Sequence, residues 1–231
     1  REQGYGCYTQ GEVMIPVRDT TIARGFAPVT TVLIAAILAM FIQELRLGEQ
    51  VVHLFRASPA DIAGYLIDGK HGFLRIHVSI IASGFIHTGY VHLVGNMIFL
   101  SVFAPPVEKS MGLVRFGLFY LAAILAAFYA HTVIHPHSTI PVVGASGAIA
   151  AVMGAYLVLY PKGRILTIIF LILTLEVVEV PSFIFILIWF GIQGINGFLG
   201  MHSASPVAWF SHIGGFLMGL AAGIQYRVSR S

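Results

Sequence analysis

Four side chains in strongly apolar surroundings are of the right types to do chemistry together: Ser146, His212, His92 and Asn96. Ser146 sits in GASGA, between Gly144-Ala145 and Gly147-Ala148, within the run IPVVGASGAIAAVMGAYLVLYP over 140–161. A hydroxyl beside an imidazole makes a nucleophile and a general base, the ring taking the proton on attack and returning it to the leaving amine. Asn96, His92 and the Ser146 backbone N–H at a helix start could donate to the oxyanion of a tetrahedral intermediate. Soluble triads add an acidic residue that orients the base. None lies near His212, because Glu108, Glu176 and Glu179 fall toward the opposite end of their segments.

The elements that must position these residues are helices with one smooth face. Ser146, Ala150 and Gly154 recur at i, i+4 and i+8, so they share a face. His212 leads a second such stripe with Gly215, Gly219 and Ala222. Small residues let membrane helices approach closely, and two such faces packed together set the hydroxyl beside the imidazole.

Composition puts those helices in a membrane. The 231 residues are 57% hydrophobic and 10% charged, with a mean hydropathy of +0.86, whereas soluble domains carry about 25% charged residues. Apolar segments long enough to span as helices, about 20 residues each, recur along the chain. The alternation over roughly 10 residues that marks a strand barrel is absent. A net charge of +3 and a pI near 9.1 reflect flanking Lys and Arg rather than a nucleic-acid surface. The single cysteine, Cys7, excludes an intrachain disulfide.

The expected fold class is therefore an all-α membrane protein with six transmembrane helices, at about 27–45, 85–103, 113–131, 145–160, 181–199 and 207–226. Pro105-Pro106 should stop the second and Pro161 the fourth. Residues 46–82 read as a long mixed loop on the membrane surface, and 165–178 as an interfacial connection too short to span. Residues 1–25 are expected to be a cytoplasmic segment without a signal peptide, and 26–228 the membrane domain. Met14-Ile-Pro-Val-Arg-Asp resembles a native start, which would make 1–13 either an upstream extension or non-native.

With six spans, Arg18, Arg24, Lys109, Arg115, Lys162, Arg164, Arg227 and Arg230 collect on one side, and loops 132–144 and 200–206 hold no Lys or Arg. The positive-inside rule then puts both termini in the cytoplasm. Helices 2, 4 and 6 enter from the outer side carrying His87, His92 and Asn96; Ser146; and His212, each within roughly 10 Å of the helix end at 1.5 Å per residue. Intramembrane polar groups are costly and usually face the bundle interior or a cavity. Three helices delivering them to one depth point to a shared site.

Plainer readings stand beside this one. A serine in GASGA is also a good packing residue, and an intramembrane histidine can be purely structural. His131, His135 and His137 flank a loop without a Cys or acidic partner, so no metal is expected. His53, His71, His77 and His202 read as surface residues, and Glu176 and Glu179 as interfacial anchors.

Together the motifs resemble the rhomboid intramembrane serine proteases. They are GASGA around Ser146, His212-Ile-Gly-Gly215-Phe-Leu-Met-Gly219 and His87-Thr-Gly-Tyr-Val-His92-Leu-Val-Gly-Asn96. Val107-Glu108-Lys-Ser-Met-Gly112, Val178-Glu179-Val-Pro181 and Trp209-Phe-Ser-His212 are further echoes. The likeness covers about 14–228 and is to the prokaryotic six-helix form, although the long, apolar 165–178 connection differs from the more compact members. It implies a six-helix bundle with a cavity opening outward, in the cell membrane, and hydrolysis of peptide bonds in or near a substrate's membrane helix. It implies Ser146 as nucleophile, His212 as base, and His92 and Asn96 at the oxyanion. Glu108 would have a structural role at the first loop or the helix 2–3 junction. Gly144, Gly147, Gly215 and Gly219 would permit close packing, and helix 5 with the following loop would form a lateral gate and cap. No cofactor is implied; the partners are transmembrane protein substrates and the lipid bilayer, with no nucleic acid. One departure is Ala150, where some members carry an aromatic residue that packs on the imidazole, so something else must orient His212. An inactive helix-binding relative and a small transporter are the competing functions. Substrate identity and oligomeric state are not legible.

Overall fold

The computed structural model describes residues 14–22, 25–48, 50, 54–69, 72–170, 174–200 and 207–230. Residues 1–13, Arg24, His53, Lys70, His71 and His202, on which several expectations rest, lie outside the described residues. Among the described residues eleven elements follow one another. They are β1 (Met14–Asp19), α1 (Pro28–Leu47), α2 (Pro59–Asp68), α3 (Phe73–Ser83), α4 (Tyr90–Met111) and α5 (Leu113–Ile134), followed by α6 (Ser146–Leu159), β2 (Arg164–Phe170), β3 (Leu175–Pro181), α7 (Ser182–Leu199) and α8 (Trp209–Val228). By length and composition, α1, α4, α5 and α7 are long and apolar enough to cross a membrane.

α6 is the centre of the molecule. It has 14 residues, and every one from Gly147 to Tyr156 is buried. An apolar helix without a polar face must be surrounded, and α4, α5 and α8 surround it. Its closest neighbour is α8, where a β-carbon on Gly219 would lie 1.9 Å from the Ala151 carbonyl oxygen. Gly215 and Gly219 of the α8 stripe form this contact as expected, but on α6 they meet Gly147 and Ala151, one residue on from the expected Ser146 and Ala150, with Gly154 shared.

The all-α expectation is corrected by a three-stranded antiparallel sheet, β1-β2-β3. The 165–178 connection is the β2–β3 hairpin, its β-branched residues pairing Ile165 with Val180 and Thr167 with Val178. β1 completes the sheet from far away in the chain, Met14 opposite Ile169 and Asp19 opposite Ile165, with an irregularity at Pro16–Arg18, where proline can donate no ladder bond. Asp19 then accepts from Thr21 N–H at 2.7 Å, Ile22 N–H at 3.0 Å and the Tyr156 hydroxyl at 2.6 Å, which fastens the sheet to the lower end of α6.

Three further expectations are revised. Pro105 and Pro106 lie inside α4, which runs on to Met111. There the Tyr160 hydroxyl donates to the Pro106 carbonyl at 2.9 Å and bonds Ser110 Oγ at 2.7 Å, so α4 is braced by the chain just past α6. The 46–82 stretch contains α2 and α3, the former opened by a Ser58–Asp61 capping box. α4 begins at Tyr90, so His87 lies in the turn before it rather than in its first turn. Phe26–Thr30 meets α4 at Glu108, whose buried carboxylate accepts from Val29 N–H at 2.9 Å and from Thr30 N–H and Oγ1–H at 2.7 Å each. These backbone donors belong to the first turn of α1 and have no partner within their own helix. A negative charge there also suits the helix dipole.

Candidate active site

Ser146 is the first residue of α6, and the loop leading to it is tied down on both sides. Val142 N–H donates to the Ala57 carbonyl and Gly144 N–H to the Ser83 carbonyl, both at 3.0 Å. Ser83 Oγ in turn accepts from Ala57 N–H at 2.8 Å. Gly144 has φ +115, where a side chain is strained, and a β-carbon there would lie 2.7 Å from His92 Cε1. The glycine is therefore needed both for its backbone conformation and to let the loop lie against the His92 ring.

His212, on the first turn of α8, is brought to Ser146 by the α6–α8 contact. Its Nε2 lies 2.7 Å from Ser146 Oγ. Its Nδ1 donates to Gln193 Oε1 on α7, also at 2.7 Å. Trp189 lies with its ring centroid 6.0 Å from that of His212 at an interplanar angle of 34°, and Trp209 meets it edge-on at 6.0 Å. The imidazole is 9% exposed, so it is held by packing as well as by two hydrogen bonds. Ala150, buried on α6, leaves the place of a stacking aromatic to α7.

His92 and Asn96 lie one turn apart on α4, and Asn96 Nδ2 donates to the His92 carbonyl at 3.1 Å. An amide nitrogen carries two hydrogens, so one donor of Asn96 is engaged by its own helix. His92 Nδ1 bonds Thr88 Oγ1 at 3.4 Å, and its ring stands 5.0 Å from that of buried His87. Burial, and then the charge of His92, push the His87 imidazole down to about 4. Both carboxylate oxygens of Glu44 accept from His87 N–H at 3.2 Å, which anchors this turn to the end of α1.

The structure thus gathers Ser146 and His212, and sets His92 beside Gly144. It gives Glu108 a different place, at the start of α1. Of the packing glycines, Gly147 faces Ala127 Cβ and Ser211 Oγ, where a β-carbon would come within 2.6 Å of each. The rings of His131 and His135 lie with centroids 5.0 Å apart, tilted at 48°. His77 is half-buried rather than a surface residue, its Nε2 bonded to the Tyr129 hydroxyl at 2.9 Å and its ring packed on Phe73 and Tyr65. Gln193, Trp189 and Glu44 escaped the sequence reading. The only signal for Gln193 was a polar amide inside the apolar run of 183–199.

Long apolar helices around a buried helix whose first residue, Ser146, meets His212 of α8 define an integral membrane protein. Residues 75–228 match the family model of the Rhomboid domain, and the chain belongs to the rhomboid family. RHOMBOID-like protein 6, mitochondrial, of Arabidopsis thaliana is 32% identical over 152 residues, covering 62% of this chain and 42% of that protein. Rhomboid-related protein 2 of Mus musculus is 39% identical over 71 residues, 31% of this chain and 23% of that protein. The Putative rhomboid protease YdcA of Bacillus subtilis (strain 168) is 36% identical over 72 residues, 31% of this chain and 36% of its own length. The chain spans less than half the length of these curated relatives.

Proposed function

We propose that the chain is a serine endopeptidase that hydrolyses peptide bonds in or near the transmembrane helices of other membrane proteins. The observation that carries this reading is the 2.7 Å contact between Ser146 Oγ and His212 Nε2. In this mechanism Ser146 Oγ attacks the scissile carbonyl carbon while its proton passes to Nε2. The oxygen that becomes negative is met by the Ser146 backbone N–H, Asn96 Nδ2 and His92, donors fixed before the reaction begins. The imidazolium then protonates the leaving amine, the C–N bond breaks, and an ester remains on Ser146. Water, deprotonated by His212, hydrolyses that ester and restores the hydroxyl. The proton cycles between serine, histidine and leaving group, so the sequence needs no cofactor.

The reading includes a six-span bundle of α1 and α4–α8 over 26–228, with residues 1–25 and both termini cytoplasmic. α6 is about 21 Å long at 1.5 Å per residue, against about 30 Å of hydrocarbon. Its last residues lead into Pro161-Lys162-Gly163-Arg164 and the sheet, which belong with water, so the shortfall falls at the Ser146 end. The nucleophile then lies below the outer surface, in a cavity open to the extracytoplasmic side of a prokaryotic cell membrane, with transmembrane proteins as substrates.

The test is labelling of the detergent-solubilised protein by a fluorophosphonate, with cleavage of a designed transmembrane substrate alongside. Labelling and cleavage are expected to require both Ser146 and His212. Cleavage retained by a Ser146→Ala protein free of contaminating protease would sink the mechanism. A folded wild type that binds the substrate helix but never cuts it would favour an inactive helix-binding role instead.

A further inference from the structure

We propose that Gln193 is a positioning residue of this site: from α7 it holds His212 in the tautomer that serves Ser146, so the base is complete only while α7 is docked. The inference rests on the peptidase reading above and adds a condition to it.

An imidazole that accepts a proton at Nε2 must carry its hydrogen at Nδ1, and something must accept from that hydrogen. Soluble triads use a carboxylate. Here the acceptor is the carboxamide oxygen of Gln193 at 2.7 Å, itself only 7% exposed. Among the described residues, the other groups that bear on the ring are Ser146 of α6, Trp189 of α7 and Trp209 of α8, with the imidazoles of His92 on α4 and His131 on α5 acting on it electrostatically. No carboxylate is among these, and Ala150 supplies no stacking ring. Two of the groups that fix the imidazole, Gln193 and Trp189, thus come from one helix.

That helix is lightly held. Between Ser182 and Leu199 the buried residues are Ser182, Phe185, Ile186, Gln193 and Gly197. Leu187, Ile188, Ile192, Ile195 and Phe198 are exposed apolar side chains. A helix anchored through so few residues separates from α8 more readily than α6 does, and when it separates His212 Nδ1 loses its acceptor. The ring is then free to turn or to exchange tautomer, and Nε2 no longer faces the hydroxyl as an acceptor. A substrate that displaces α7 fully would disable the base, whereas one that leaves the Gln193 segment docked would be cut.

A neutral carboxamide also differs from a carboxylate in its effect on charge. It orients the imidazole without adding a negative charge to favour the imidazolium, so replacing it with glutamate should make the ring easier to protonate. The test uses the full chain in detergent and measures kcat, KM and the pH profile of substrate cleavage for wild type, Gln193→Met and Gln193→Glu. Methionine keeps the length and apolar packing but offers no comparable acceptor. It should lower kcat by about 10–100-fold, the range seen when a metal-bound histidine loses the partner that orients it, with KM within about twofold. Glutamate should restore most of the rate and move the acidic limb of the profile upward by about one pH unit.

A Met variant with wild-type kcat and an unshifted profile would overturn the proposal. So would equal losses in both variants with no movement of the limb, which would make Gln193 a packing residue. The glutamate profile keeps the idea falsifiable should the Met variant fail to fold. A wild type no more active than Ser146→Ala would instead overturn the peptidase reading, and this proposal with it.

Discussion

A β-carbon on Gly215 would stand 2.0 Å from the carbonyl oxygen of Gly147. Gly147 directly follows Ser146 and Gly215 lies about one turn after His212, so this contact sets the distance between α8 and α6 close to the level of the reacting pair. The atoms that a β-carbon there would meet are all backbone atoms of Gly147, which cannot swing aside.

Gly215→Ala should therefore force the helices apart. Overpacking a tight core costs about 1–3 kcal/mol, and this variant should fall at the upper end. Thermal denaturation in detergent should show a clear loss, and fluorophosphonate labelling at a temperature where the protein is still folded should fall with it. A stable Gly215→Ala protein that labels at the wild-type rate would contradict the packing argument.

The proposed dyad makes a different prediction, because its two members act in one step. Ser146→Ala and His212→Ala should each abolish measurable cleavage, and the double variant should be no worse than either single one, as expected for residues that work as a unit. Ser146→Ala should stay folded, since alanine fits the seam. His212→Ala should also lose some packing. Multiplicative losses in kcat would mean that the hydroxyl and the imidazole act independently.

Glu108 is far from this chemistry in role, and its removal should separate stability from activity. Glu108→Ala leaves the Val29 and Thr30 N–H donors without their acceptor, at about 1–3 kcal/mol for each buried unsatisfied group. The midpoint of thermal unfolding should drop. Labelling of the folded fraction at low temperature should remain near wild type. Loss of labelling in a fully folded Glu108→Ala protein would refute the purely structural assignment.

His87 gives a pH dependence of known sign. Its imidazole is held down to about 4 in the folded chain, against about 6.5 when exposed. The unfolded chain therefore binds the extra proton between those values and the folded chain does not. Stability is complete above about pH 6.5 and declines as pH falls toward 4, by up to about 3 kcal/mol from this group. His87→Gln should flatten that slope between pH 7 and 5 in denaturation measured at several pH values. An unchanged slope would show that other groups carry it.

Much of this molecule could be read before folding. Ser146 and His212 stood out because a polar group in an apolar helix needs a partner and a stripe of small residues shows where a neighbour will lie. Both signals are local and periodic. The course of α4 through Pro105-Pro106 could not be read in the same way. A proline pair normally ends a helix, and here Tyr160, which meets Ser110 and the Pro106 carbonyl from 50 or more residues away, braces the continuation. The sheet was hidden for a similar reason: β2 and β3 form a hairpin of ordinary strand composition, but β1 pairs Met14 with Ile169, and no periodicity in either segment announces the other.

The same division runs through the site. By itself the sequence determined that a hydroxyl and an imidazole would sit near the ends of two helices with small-residue faces, because that follows from residue type and spacing along each helix. Only the tertiary structure decided what holds the imidazole. Gln193 reaches His212 from a third helix, and a single hydrogen bond between helices leaves no pattern along either one.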